Sequence, residues 1–292
     1  MVVYGSYDVT PYIIGETVFN TTPTTPAFLW PGNVQECGFN LKPNPAKIYA
    51  INNLRTLSRI VYTKKMWDYR MVYYPFDTNL FSYLFWQPGT ATNSFTIEEA
   101  YRPIYGSSGD VRFIRMTGVK ADRGRINWKV GDPVQVELDL MGAGFASGNP
   151  FTTTIAGSTY ASEPASTLRP YYFQDQSATV DGSQIYALEL SLDYQNQVQR
   201  DPYGYYIGSD VPRILPAGRN PIGFSITTNW EDFNKLTDVT SEAIFTVVLP
   251  FGPTHTITLA GCKWDNIELM KQVTRDILAP KVPGTALTAT LA

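Results

Sequence analysis

Apolar and polar residues alternate with a period of two over much of this chain. Val134, Val136, Leu138 and Leu140 are separated by Gln135, Glu137 and Asp139. Tyr186, Leu188, Leu190 and Leu192 interleave with Ala187, Glu189, Ser191 and Asp193, and Ile126, Trp128 and Val130 with Arg125, Asn127 and Lys129. Successive side chains of a strand point to opposite faces, so each run predicts a strand with one buried face. Further strands are expected at 35–41, 66–74, 94–100, 111–118, 219–227, 242–249, 254–261 and 286–291. Pro88-Gly89, residues 106–110, Gly131-Asp132-Pro133 and Pro283-Gly284 punctuate them as turns. The chain is therefore all-β dominated, with antiparallel connections expected.

Helical spacing is confined to two short segments. At 77–86, Asp77 or Thr78 can cap, and Leu80, Phe81, Leu84 and Phe85 share one face. At 229–239, Asn229 can cap an acidic first turn of Glu231 and Asp232, and Phe233, Leu236 and Val239 follow at spacings of three. Both helices stand between strands in the same order, which predicts an internal duplication. Each half runs strand, irregular segment (51–65 or 201–218), strand, helix, strand, strand and final strand. The sixth of these elements closes in Thr117-Gly118-Val119-Lys120 in one half and Ala260-Gly261-Cys262-Lys263 in the other. The expected division is an N-terminal arm at 1–32, a first domain at 33–142, a linker or surface excursion at 143–169 and a second domain at 170–292. Each domain is expected to be β-rich and to carry one short helix.

Composition narrows what such domains do. Hydrophobic residues make up 43%, enough for a real core, while only 17% are charged and 14% are aromatic, including 19 Tyr. Few charges and many tyrosines suit a surface largely covered by partners. The net charge of −3 argues against a protein built to grip nucleic acid, which needs many cations to displace counterions. The cluster Arg112, Arg115, Lys120, Arg123 and Arg125 is better read as pairing with acidic neighbours than as a nucleic-acid patch, because no stacking platform flanks it. Cys37 and Cys262 make no disulfide framework, and a bridge between them is left open. The first residues lack a basic segment followed by an apolar run, and no stretch approaches 18 apolar residues, so neither secretion nor membrane insertion is expected.

Catalytic chemistry finds little footing. His255 is the sole histidine and lies in an alternating strand. Glu98 and Glu99 are adjacent, so on a strand they face opposite sides and do not converge as a glycosidase pair would. No GxSxG, phosphate-loop or GxGxxG spacing occurs. No enzyme activity and no cofactor are expected.

Several stretches resemble the two-domain tail tube proteins of long-tailed phages or archaeal tailed viruses. They are the extended arm 16–26, the strand 33–44, Arg115-Met116-Thr117-Gly118-Val119-Lys120, the strand 131–142, Pro170-Tyr171-Tyr172-Phe173, the run 180–185, and Leu259-Ala260-Gly261-Cys262-Lys263 with the C-terminal strand. The resemblance spans roughly 16–291 and lies in the order and spacing of these patterns. Segment 51–65 departs from it by lacking the expected turn residues. The resemblance implies two tandem tail-tube-like domains, each a small β-barrel or sandwich with one helix packed on it, in a structural subunit of the virion tail, assembled in the host cytoplasm, whose sheets join side by side into stacked rings that conduct DNA during genome ejection. A duplicated chain implies three copies per ring with pseudo-six-fold symmetry. Implied partners are further copies of itself, tape measure, tail terminator and baseplate or tip proteins, and double-stranded DNA in non-specific passage.

Two sets of residues become candidates on this reading. Apolar residues in the irregular segments, Leu54, Leu57, Ile60, Tyr62, Tyr203, Tyr205, Tyr206 and Ile214, are expected to contact a neighbouring ring or subunit, or to fold back on their own barrel. Glu137, Asp139, Glu189 and Asp193 are expected either to face a DNA channel or to be ordinary solvated residues. A carbohydrate- or receptor-binding β-module remains the rival reading, since Tyr and Trp also stack on sugars.

Overall fold

The computed structural model describes residues 3–42, 45–48, 59–62, 64–85, 93–105, 111–145, 151–152, 154–163, 168–175, 177–199, 204–207, 209–228, 243–266 and 281–292. The strands of the first half are β1 (Val3–Gly15), β2 (Ala27–Phe28), β3 (Asn33–Lys42), β4 (Pro45–Ile48), β5 (Arg59–Tyr62), β6 (Met66–Tyr74), β7 (Phe95–Tyr105), β8 (Arg112–Lys129) and β9 (Gln135–Gly142). Two short strands follow, β10 (Phe151–Thr152) and β11 (Thr159–Tyr160). The second half supplies β12 (Ala178–Val180), β13 (Ser183–Ile185), β14 (Ala187–Gln195), β15 (Ile222–Thr228), β16 (Phe245–Phe251), β17 (His255–Trp264), β18 (Lys281–Ala286) and β19 (Thr288–Leu291). The described residues hold one short helix, α1 (Phe81–Leu84). None of their helices is long and apolar enough to cross a membrane.

One curled sheet runs through both halves in the order β17–β18–β15–β14–β8–β9–β6–β3. Its inward face carries the odd or even set of each alternating run: Tyr69, Met71 and Tyr73; Val136, Leu138 and Leu140; Ile126 and Trp128; Leu190, Leu192 and Tyr194; Ile222, Phe224 and Ile226. Two outer sheets cover that face. One is β1–β7 on the N-terminal part of β8, and the other is β13–β12–β16 on the N-terminal part of β17, with β19 alongside. Phe95, Ile97, Met116, Val247, Leu249 and Leu259 close a continuous core from the outer side. Each such side chain contributes about 1.5–3 kcal/mol of burial, so the core and not strand propensity holds the layers together.

The long strands β8 and β17 belong to an inner and an outer sheet at once. The switch sits at Gly118 (φ 61°) and Gly261 (φ 65°), a left-handed conformation that residues with a Cβ rarely adopt. The duplication is visible in the pairing around these glycines. Lys120 lies opposite Met141, Met141 opposite Asp68, and Asp68 opposite Asn40. In the second half Lys263 lies opposite Thr285, Thr285 opposite Gly223, and Gly223 opposite Asp193. Thus β3, β6, β9 and β8 correspond strand for strand to β14, β15, β18 and β17.

The expected strands at 111–118 and around 126–130 prove to be one strand, β8, because Gly118 lets the chain bend without breaking its pairing. The helix expected at 77–86 is shorter. Asp77 spends its carboxylate on the Asn79 amide (3.0 Å) and side chain (2.7 Å), forming a turn ahead of the helix instead of capping it. The helix expected at 229–239 lies outside the described residues. Residues 3–15, expected within an arm, form β1 and pair antiparallel with β7. The stretch 143–169 supplies β10 and β11, and Tyr160 of β11 stacks on Phe28 at 5.2 Å. Tyr12, Phe28, Ala100 and Phe113 form a satellite core there.

Helix α1 joins the halves. A Cβ at position 124 would lie 2.4 Å from Leu84 Cδ2, so Gly124 is what lets α1 sit directly on β8. Phe81 meets Phe251 of β16 edge-on at 4.2 Å. The Asn196 amide donates to both the Leu84 and the Ala121 carbonyls at 2.9 Å, pinning the helix end to the sheet.

Candidate assembly surfaces

The side of the curled sheet away from the core is polar, and strand alternation alone puts it there. Glu137 and Asp139 of β9 and Asp193 of β14 lie on this face between buried neighbours, and Glu189 of β14 shares it beside buried Leu190. Basic residues of β6 and β8 share it. Arg70 pairs with Glu137 at 2.7 Å, and Arg125 approaches the other Glu137 oxygen at 3.7 Å. Arg123 grips Asp193 with two nitrogens, Nε at 2.7 Å from Oδ1. Burial opposes ionisation of Asp193, but the hydrogen bond and charge of Arg123 outweigh it and hold the carboxyl below its usual range. Asp139 is pushed the other way, by burial and by Glu137, against the pull of Arg70, Arg123 and Arg125. A shallow depression of about 670 Å³ lies on this face, between Arg125, Lys129, Gln135, Glu189, Ser225 and Lys281 among others.

Where the two halves meet, β14 pairs antiparallel with β8, from Glu189 opposite Lys129 to Gln195 opposite Arg123. This seals the leading edge of the second repeat. The leading edge of the first repeat is β3, which pairs only with β6 among the described residues. The consequence shows in equivalent side chains. Leu190, Leu192 and Tyr194 are buried, whereas their counterparts Cys37, Phe39 and Leu41 are not, and Leu41 is 39% exposed against 3% for Tyr194. An edge with half-covered apolar residues is an invitation to pairing.

The loop residues are divided. Tyr205 folds back on its own subunit, its hydroxyl donating to the Lys65 carbonyl at 2.6 Å and Lys64 Nζ lying 5.3 Å from its ring centre. Lys65 and Asp210 form an ion pair at 2.5 Å that closes the same contact. Tyr206 and Ile214 are exposed, with the Arg213 guanidinium 5.6 Å from the Tyr206 ring centre. Ile60 and Tyr62 belong to β5, whose backbone pairs with β4 as a hairpin beyond the β3–β6 end. Leu54, Leu57 and Tyr203 lie outside the described residues.

A phage tail tube protein family model matches residues 8–286. The chain belongs to the phage tail tube protein family. Tail tube proteins are structural components of the virion tail, and their family implies self-assembly into a tube. No curated protein matches the chain significantly. In this tail tube protein the acidic candidates and the β3 edge sit on the continuous curled sheet.

Other features of this tail tube protein are structural. Glu98 and Glu99 point to opposite sides of β7, and both are buried. Glu98 pairs with Arg115 and accepts from Tyr160 at 2.5 Å; Glu99 accepts from Tyr69 at 2.9 Å and Tyr101 at 2.5 Å. The His255 Nδ1 lies 3.3 Å from the Ala292 carbonyl, where the C-terminal strand zips onto β17. Cys37 and Cys262 are both free. Among the described residues no group of His, Cys, Asp or Glu is arranged to hold a metal. Glu16 was not singled out from sequence. Its carboxylate is buried and accepts from the Asn20 and Gly118 amides and from Ser94 and Thr96, tying the 16–22 segment to the bend of β8. A carboxylate in a Thr-rich stretch carries no sequence signal for such a role.

Proposed function

We propose that three copies of this chain close into a ring with pseudo-six-fold symmetry and that rings stack into the tube through which the viral genome leaves. The observation that carries the reading is the junction between β8 and β14. Inside one chain, the β8 edge of the first repeat already joins the leading strand of the second. Repeating that contact brings the β17 side of one copy against β3 of the next, and head-to-tail contacts of this kind close into rings. Eight strands per chain would give a barrel of about 24 strands with no free edge, which removes the exposed-edge hazard of β3. The polar face would then line the channel, with Glu137, Asp139, Glu189 and Asp193 facing DNA. The β4–β5 hairpin, together with Tyr206 and Ile214, would reach the neighbouring ring. Tape measure, terminator and tip proteins would meet the tube at its core and ends, after assembly in the host cytoplasm.

The register gives a direct test. Gln195 lies opposite Arg123, and the repeat relation carries this pair to Lys42 and Asn266 of adjacent copies. In a Cys37→Ser background, Lys42→Cys with Asn266→Cys should oxidise into a covalent species of about three times the 32.7 kDa chain when the protein assembles. Assembled tubes that yield no such species, or rings of six chains by electron microscopy, would refute the arrangement.

A further inference from the structure

Acidic residues on a channel wall suggest a lining that repels phosphate by net charge. The pairing register of this sheet describes something different. Across one row of the polar face, Arg70 of β6 lies opposite Asp139 of β9, which lies opposite Arg123 of β8. In the adjacent row Glu137 lies opposite Arg125, which lies opposite Asp193 of β14. The rows also lock diagonally, through Arg70 with Glu137 and Arg123 with Asp193. A third row, Gln135, Asn127, Ser191 and Ser225, is uncharged, and the Ser191 and Ser225 hydroxyls bond at 2.7 Å. In a fourth, Lys129 lies opposite Glu189, with Lys281 beyond Thr227. Like charges occur along a strand, as at Arg123 and Arg125 or Glu137 and Asp139, but wherever two charges lie directly opposite across these rows they are of opposite sign. Opposite charges directly across an antiparallel pair attract, and like charges there are unfavourable.

We propose that this face is a charge-compensated lattice that lets a polyanion pass without retaining it, the polyanion being duplex DNA; this rests on the tube reading above. Glu137 and Asp193 serve to occupy guanidinium groups. A polyanion binds by delivering phosphates to cations and releasing counterions. Here Arg70, Arg123 and Arg125 are already satisfied by groups fixed on neighbouring strands, so a phosphate must displace a built-in partner before it can bind. Fields from alternating charges a strand apart cancel within a few ångströms, well inside the screening length of about 8–10 Å. The wall is neither sticky nor strongly repulsive, and single acids within it have outsized effect because each holds one or two cations.

The test uses the full-length chain in solution with a short fluorescent duplex DNA, read by anisotropy over a salt series. The wild type should show no binding at low salt. Glu137→Gln with Asp139→Asn and Asp193→Asn releases Arg70, Arg123 and Arg125 and should bind DNA, with a log–log salt slope of about −2 to −3. Adding Arg123→Gln and Arg125→Gln to that variant should abolish the binding again, and circular dichroism of each variant checks that it is folded. Salt-sensitive DNA binding by the wild type, or a folded acid-deleted variant that stays silent, would overturn the proposal. Because subunits are measured before assembly, failure here is separate from failure of the three-chain ring, which the cross-linking experiment reads.

Discussion

Replacing Phe81 by Ala should weaken both halves of the molecule at once. Phe81 is 1% exposed at the start of α1 and meets Phe251 of the second half edge-on, with ring centres 4.2 Å apart. Truncating a fully buried Phe costs about 3–5 kcal/mol, because apolar burial is lost and the cavity collapses only in part. About 0.5–1.5 kcal/mol of this belongs to the aromatic pair itself. A double-mutant cycle with Phe251→Leu should return a coupling of that size, since the residues touch and share one cavity. Against a total stability on the order of 5–15 kcal/mol the single change is severe. Urea unfolding should be followed by tryptophan fluorescence, using variants that retain only Trp128 in the first half or only Trp264 in the second. Both probes should move to lower urea together, because the core that Phe81 joins is continuous across the halves. A loss below about 1 kcal/mol, or a shift confined to the Trp128 probe, would refute the role of α1 as the joint between repeats.

Other outcomes follow from the buried polar groups and the thiols. Glu98→Gln removes the carboxylate from Arg115 in a site where the two side chains are 0% and 5% exposed. It should cost about 3–5 kcal/mol in chemical denaturation, while Glu98→Gln with Arg115→Met should recover much of that loss. Burial and the nearby Glu99 push the Cys37 thiol up to about 12, and burial pushes Cys262 up to about 11. The thiolate is the reactive form, so at pH 7 only roughly one part in 10⁴ to 10⁵ of each is reactive. Neither thiol should react with Ellman's reagent in the native protein at that pH. Both should react on unfolding without reductant, and rapid native labelling of either would contradict the suppression of its thiolate.

The alternation of Val134 to Leu140 and of Leu188 to Leu192 determined by itself that these segments are strands and which face each one buries. A period of two admits only one solution once one side is apolar. The same pattern placed Glu137, Asp139, Glu189 and Asp193 together on the opposite face, and the recurring Gly118 and Gly261 marked the repeat. Tertiary structure alone decided what those residues meet. Which strands lie side by side depends on contacts between residues far apart in sequence, such as Asp193 with Arg123, and no local period encodes them. For the same reason β1 was invisible: its residues find their register only against β7, about ninety positions away. The exposed β3 edge had no signature either, because Cys37, Phe39 and Leu41 read like any buried face. That edge is open only because β14, its counterpart in the second repeat, has taken the β8 position within the chain.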